Sequence, residues 1–164
     1  MLTKLKAIYE KWLVCTGVLA SFFLLLTRIN WGWQFVVTGK GKLANPGPVI
    51  EFFQGLGIPF PIFNVYLVGL TEFLGGLFLI LGLGSRLITI PLAITMFVAY
   101  LTADRAAFFS FFTDTDAFVK ATPFPFLITV LTVLFFGAGF FSIDRLFGRF
   151  VKRRISDHCE NSCH

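Results

Sequence analysis

The sequence predicts an all-α membrane protein: a bundle of four transmembrane helices, with a short interfacial helix between spans one and two and both termini in the cytoplasm. Apolar residues make up 56% of the 164 residues, and charged residues only 14%. The apolar residues occur in runs of about 20, the length that a helix needs to cross a bilayer. This composition is that of a polytopic membrane protein and differs from that of soluble domains.

The chain divides into three parts in sequence. Residues 1–11 form a basic cytoplasmic lead-in, residues 12–147 the membrane domain, and residues 148–164 a basic tail that we expect to be disordered. The predicted spans are residues 12–36, 61–83, 86–103 and 123–141. The first run lacks a cleavage signal after it, so we interpret it as a retained span.

The connections between the spans differ in character. Span one is predicted to end at Val36, before a segment rich in glycine and proline. Within that segment, residues 48–56 predict an amphipathic helix that is too short to span and lies flat at the interface. Residues 108–122 are predicted to be a polar and aromatic loop.

Basic residues predict the orientation of the bundle. The side that holds both termini carries nine Lys and Arg residues, and the other side carries four. The positive-inside rule therefore places both termini in the cytoplasm. The net charge of +5 comes mostly from the C-terminal segment, so it reflects topology and does not indicate nucleic-acid binding.

Glu72 is an acidic residue in the middle of span two. On a helix it shares a face with Gly69 and Gly76, and Gly75 lies next to that strip, so another helix can pack closely there. A charge at this depth is costly unless it is paired. Arg28 in span one is the predicted partner, in a buried polar pair.

Three interpretations of this pair stay open. Arg28 and Glu72 form a structural clamp between two helices, or they line an outward-facing pocket for a small polar or quinone-like ligand, or Arg28 extends to the interface without a partner. The candidate pocket rim consists of five charged residues of the outer side: Lys40, Lys42, Glu51, Asp104 and Arg105. The alternative for these residues is ordinary helix-end charge in the head-group region.

The last residues hold four soft metal ligands, His158, Cys159, Cys163 and His164. Zinc or copper prefers such ligands, but we interpret the segment as a flexible tail. The spans contain no His or Cys pair for haem or an iron–sulfur cluster, and no phosphate-binding or dinucleotide motif is present. We therefore assign no catalytic residue and no encoded cofactor.

Several segments resemble the DoxX family of bacterial membrane proteins. These are TGKGKL at 38–43, FFQGLGIPFP at 52–61, EFLGGLFLILGLGSR at 72–86 and GAGFFSID at 137–144, together with Arg28. The resemblance implies a four-helix protein of the bacterial inner membrane. It also implies a link to membrane redox complexes, since the family name comes from a subunit associated with thiosulfate:quinone oxidoreductase. The His/Cys tail departs from the family pattern.

Three functions stay open on this basis. The first is an accessory subunit of a redox system, at most part of an oxidoreductase, that contacts a quinone or a thiol or sulfur compound. The second is a non-enzymatic membrane scaffold or assembly factor, and the third is a small-solute transporter or channel. The expected partners are the lipid bilayer, other subunits of a redox complex and further copies of the chain, with no nucleic acid.

Overall fold

The computed structural model describes residues 2–137, 139 and 142. Within these residues the regular secondary structure is all-helical, and each of the four predicted spans overlaps a helix. The helices are α1 (Leu2–Ala44), α2 (Pro46–Gly55), α3 (Pro61–Leu81), α4 (Ser85–Thr102), α5 (Arg105–Phe109), α6 (Thr115–Lys120) and α7 (Pro123–Phe136). The predicted tail with His158, Cys159, Cys163 and His164 lies outside the described residues.

Among the described residues, three helices are long and apolar enough to cross a bilayer. They are the segment Trp12–Ala44 of α1, α3 and α4. Their outer surfaces carry exposed apolar side chains, among them Leu19, Phe23, Ile62 and Leu87, as expected of lipid-facing helices. The 14 residues of α7 extend only about 21 Å, against about 30 Å for a bilayer core. The count of four spans and the orientation therefore stay predictions.

Helix α1 is longer than the sequence predicts. It runs without interruption from Leu2 to Ala44, so the expected helix end at Val36 is wrong. Gly39 and Gly41 lie inside the helix, although glycine weakens a helix interior by about 1 kcal/mol per residue. Packing against α3 offsets this cost, because Gly39 lies at a close contact with that helix.

Glycines bring the backbones of α1 and α3 together at two levels. A Cβ atom on Gly76 would lie 2.7 Å from the carbonyl oxygen of Gly32. A Cβ atom on Gly39 would overlap the backbone nitrogen of Phe73 and lie 2.8 Å from the carbonyl oxygen of Gly69. The antiparallel helices are thus in register, with Gly32 beside Gly76 and Gly39 beside Gly69. Seven residues separate the two glycines of each helix, which is about two helical turns.

The core of the described bundle lies between four helices. Its buried residues are Phe35, Leu79, Leu92, Met96, Val130 and Val133, contributed by α1, α3, α4 and α7. The predicted close-packing residue Gly75 serves the α3–α4 contact, where a Cβ atom would lie 2.8 Å from Leu92 Cδ2.

The predicted loop at residues 108–122 is wrong in part, because it contains α6 and the end of α5. The Asp114 side chain caps α6 by accepting a hydrogen bond from the Ala117 nitrogen at 3.1 Å. The Tyr100 hydroxyl donates to the Phe118 carbonyl oxygen at 2.7 Å, which ties α6 to the end of α4. Local capping and one tertiary hydrogen bond therefore order this segment.

The short helix before α3 occurs close to its predicted position. It spans Pro46–Gly55 where the sequence predicts residues 48–56, and it packs against α3. The chain then turns at Gly57, whose φ of 72° suits glycine.

Replacing Gly39 by Ala should separate α1 from α3. The added methyl group meets backbone atoms of α3 that have no rotamer to escape into, so we expect a loss of about 1–3 kcal/mol in stability and a lower melting temperature in detergent. The matched control is Gly41→Ala, since nothing lies within 4 Å of a Cβ atom there. That change should leave the melting temperature equal or slightly higher. Equal melting temperatures for both variants would contradict the packing described here.

Candidate functional site

Lys42 and Glu72 face each other because of the register of α1 and α3. Lys42 lies in the last turn of α1, and Glu72 lies just past the middle of α3. Side chains on a helix lean toward its N-terminus. In this antiparallel pair Lys42 therefore leans toward the level of Glu72, and Glu72 leans toward the level of Lys42.

The two side chains form a buried ion pair. Lys42 Nζ lies 2.6 Å from Glu72 Oε1 and 2.5 Å from Glu72 Oε2. The Glu72 side chain is 2% exposed and that of Lys42 is 25% exposed. A carboxylate at this depth is strongly unfavourable without a cation, and Lys42 supplies one at hydrogen-bonding distance.

This geometry corrects the predicted partner of Glu72. Arg28 does not pair with Glu72. It lies beside the last turn of α3, where its Nε donates to the Leu79 carbonyl oxygen at 2.9 Å. Its Nη2 donates to the Ile80 carbonyl oxygen at 3.2 Å. Lys42, predicted only as a rim residue, takes the place assigned to Arg28.

Arg28 has a structural environment of its own. It is fully buried, and it satisfies carbonyl groups in the last turn of α3, which have no partner within the helix. A cation there also complements the negative end of the helix dipole. Gly82, which has a φ of 70°, leaves room for the guanidinium group, because a Cβ atom on Gly82 would overlap it.

Lys42 and Glu72 lie in the wall of a cleft of about 760 Å³. Its walls come from the end of α1, from α2, from the first half of α3, from the second half of α4 and from the start of α7. Most lining residues are apolar, among them Val49, Phe52, Phe53, Leu56, Ile58, Leu67, Val68, Ile94, Met96, Val98 and Phe126. Helix α2 thus forms one wall of the cleft and does not lie apart from the bundle.

Charged groups in the cleft are few. Asp104 lines it together with Lys42 and Glu72, so the described lining holds two carboxylates and one ammonium group. Three lining threonines direct their hydroxyl groups to their own helix, since Thr38 Oγ1 donates to the Gln34 carbonyl oxygen, Thr95 Oγ1 to that of Pro91 and Thr102 Oγ1 to that of Val98. The polar chemistry of the cleft is therefore concentrated in the ion pair and Asp104.

The other predicted rim residues do not line this cleft. Lys40 lines a separate groove on another face of α1. Glu51 is exposed on α2, and the guanidinium carbon of Arg105 lies 5.6 Å from the centre of the Phe109 ring. Of the five rim residues, Lys42 and Asp104 are the ones that the structure brings to Glu72's cleft.

The spacing of glycines in the sequence indicates that Lys42 lies on α1 and faces α3. Gly32 and Gly39 are seven residues apart, as are Gly69 and Gly76. Equal spacing in two apolar segments is the pattern of two helices that pack along a shared seam. It implies that α1 continues at least to Gly39, and Lys42 follows within one turn. The walls supplied by α2 had no comparable signal.

Metal binding has no support among the described residues, which hold no group of three His, Cys, Asp or Glu side chains suited to an ion.

Comparison with known proteins agrees with this architecture. The sequence profile of the DoxX family matches residues 23–105, which include α2, α3, α4 and most of the transmembrane part of α1. CatD of Bacillus subtilis (strain 168), a protein that carries the provisional name of an oxidoreductase, is 28% identical over 120 residues, 73% of this chain and 83% of CatD. No solved structure matches the chain. The matched segment covers half of the sequence, so this chain belongs to the DoxX family.

Proposed function

We propose that this protein is an accessory subunit of a redox system in the bacterial inner membrane, and that its cleft holds the head group of a quinone. The observation that carries the proposal is the Lys42–Glu72 ion pair, buried in the wall of an apolar cleft of about 760 Å³. A buried ionisable pair beside a pocket within a membrane protein is by default a functional site. The cleft volume is within the usual range for small-molecule sites.

The chemistry of the ion pair suits a quinone head group. An ammonium group has three N–H donors, and two of the Lys42 contacts go to Glu72 oxygens. One donor is thus left for a quinone carbonyl oxygen, and the partial exposure of Lys42 gives a ligand access to it. Glu72 in turn can accept a hydrogen bond from a quinol hydroxyl group or exchange its proton. The apolar walls suit the ring and the first part of an isoprenoid tail.

Charge favours a neutral ligand over an anionic sulfur compound. Two carboxylates, those of Glu72 and Asp104, line the cleft with the one ammonium group of Lys42. A sulfur anion such as thiosulfate would meet this negative excess and would lose its hydration against apolar walls. A neutral, lipid-soluble carrier meets neither cost.

The bound quinone would supply two-electron, two-proton redox chemistry, and the proposal assigns the delivery of electrons to a partner subunit. This chain binds and orients the head group. The related protein CatD bears the name of an oxidoreductase, which supports a redox context. The proposal includes the predicted orientation, in which the cleft opens to the outer side of the membrane.

Replacing Glu72 by Gln should weaken quinone binding while the bundle stays folded. The change keeps the shape of the side chain but removes the carboxylate that would accept a charge-assisted hydrogen bond from a quinol hydroxyl group, worth about 1.5–3 kcal/mol, so we expect the Kd of a short-chain quinol to rise about 10- to 100-fold. Calorimetric titration of the detergent-solubilised protein measures the Kd, and native mass spectrometry shows whether a quinone co-purifies.

The control for this experiment is Lys120→Gln. Lys120 lies on α6 at the same end of the bundle as Lys42, and its ion pair with Asp116 is exposed, so the variant should bind quinone like the unmodified protein. Unchanged binding in the Glu72→Gln variant, or no binding in any variant, would refute the quinone site.

A second candidate function has its own supporting observation. Cations of α1 contact α3 at two places, Lys42 at Glu72 and Arg28 at the carbonyl oxygens of Leu79 and Ile80. These contacts would make the protein a rigid membrane scaffold or assembly factor, with Lys42–Glu72 as a clamp. No transport pathway is supported by an observation of comparable weight.

The scaffold interpretation makes a different prediction for the same pair. Glu72→Ala leaves Lys42 without its anion and should cost about 3–5 kcal/mol. The double variant Lys42→Met, Glu72→Leu removes both charges and should recover most of that loss, as measured by melting temperature in detergent. A double variant that recovers stability and keeps its membrane partners supports the scaffold; one that recovers stability but loses quinone binding supports the redox subunit. Failure to recover would contradict a simple clamp.

A further inference from the structure

A second concave surface lies on α1, on a different face from the cleft. This groove has a volume of about 550 Å³ and is lined by Trp33, Val36, Val37, Lys40, Leu43, Ala44 and Phe73. Apart from Lys40, every lining residue is apolar or aromatic. Trp33 is 60% exposed and Val37 48% exposed, so the groove opens on the outer surface of the α1–α3 pair, which contacts lipid in a membrane.

Lys40 has an unusual depth for an exposed cation. Gly39 lies beside Gly69, so residue 40 is level with Val68, about 10 Å along α3 from its start at Pro61. Lys40 is exposed, and none of the described residues forms an ion pair with it. A lysine near the end of a transmembrane helix extends toward the head groups, where an anion stabilises it.

We propose that this groove binds an anionic phospholipid, with the phosphate of the head group on Lys40 and one acyl chain along the groove. Lys40 lies between Leu43 and Ala44, toward the end of α1, and the apolar residues on its other side. Its charge is complementary to a lipid phosphate, and basic pockets between transmembrane helices are typical sites for anionic head groups. The apolar strip extends from Lys40 toward the membrane interior through Val37 and Trp33, which are three and seven residues away on one face of α1. From Lys40 inward, the groove therefore offers a charged group followed by an apolar strip, which matches the phosphate and acyl chain of a phospholipid.

The occupant must also be soluble in the bilayer, since the groove lies on the lipid-facing surface. A zwitterionic lipid satisfies the apolar strip but places a cation near Lys40. A second copy of this chain would have to bring an acidic residue to Lys40 within the bilayer. The anionic lipid meets both requirements without these costs.

Trp33 provides a direct probe of the site. The protein is reconstituted in phosphatidylcholine nanodiscs that contain a small fraction of either brominated phosphatidylglycerol or brominated phosphatidylcholine, and tryptophan fluorescence is recorded. Bromine quenches tryptophan at short range, and the Trp33→Phe variant gives the background from Trp12 and Trp31. We expect Trp33 to report about a fivefold preference for the anionic lipid, the effect of one lysine near a membrane surface.

Lys40→Gln should abolish this preference. The control Lys120→Gln removes the same charge at the same end of the bundle, but Lys120 does not line the groove, so the preference should stay unchanged. Equal quenching by the two lipids, a preference that survives Lys40→Gln, or an equal loss in Lys120→Gln would each overturn the proposal. Absence of Trp33 quenching together with cross-linking between two copies at this position would overturn it as well, because another chain would then occupy the groove. A circular dichroism spectrum identical to that of the unmodified protein verifies that each variant is folded.

Discussion

The close contact between α1 and α3 is the constraint on which the rest of the structure depends. Glycines at two levels remove the side chains that would hold the two backbones apart. Once the helices are this close, their register is fixed, and polar groups on the shared face must form hydrogen bonds or ion pairs with the facing helix. Glu72 finds Lys42, and Arg28 finds the last turn of α3. The cleft lies between the end of α1, α2, the first half of α3, the second half of α4 and the start of α7.

Two cations of α1, the fully buried Arg28 and the partly exposed Lys42, have different roles in this contact. Lys42 neutralises a carboxylate that α3 carries into the bilayer, whereas Arg28 satisfies backbone carbonyl groups at the end of that helix. The guanidinium group has donors in a fixed planar arrangement and suits two neighbouring carbonyl oxygens. The flexible lysine stem reaches along α1 to a single carboxylate and keeps part of its ammonium group accessible. Only the second arrangement leaves a polar group for a ligand.

The sequence predicts the helical architecture well because runs of about 20 apolar residues mark the membrane helices directly. Pro61 and the segment after Leu81 bound α3, and α4 begins where span three was expected. Glu72 was identified because an acid in an apolar run is conspicuous. Its partner Lys42 is harder to predict, because it lies in TGKGKL, whose glycines have low helix propensity. Packing against α3 makes this segment helical and places Lys42 on α1. The need to pair a charge within the membrane favours Arg28, but Arg28 instead donates hydrogen bonds to the carbonyl oxygens of Leu79 and Ile80.

The 14 residues between Arg28 and Lys42 span about 21 Å of one helix, and both residues are anchored to α3. Sliding α1 along α3, or prying the two apart, would break contacts at both places together. We therefore expect these two helices to move as one rigid unit. If the cleft widens to admit a ligand, we expect α2, α4 and α7 to move relative to this pair, because most of the residues that they contribute to the cleft are apolar.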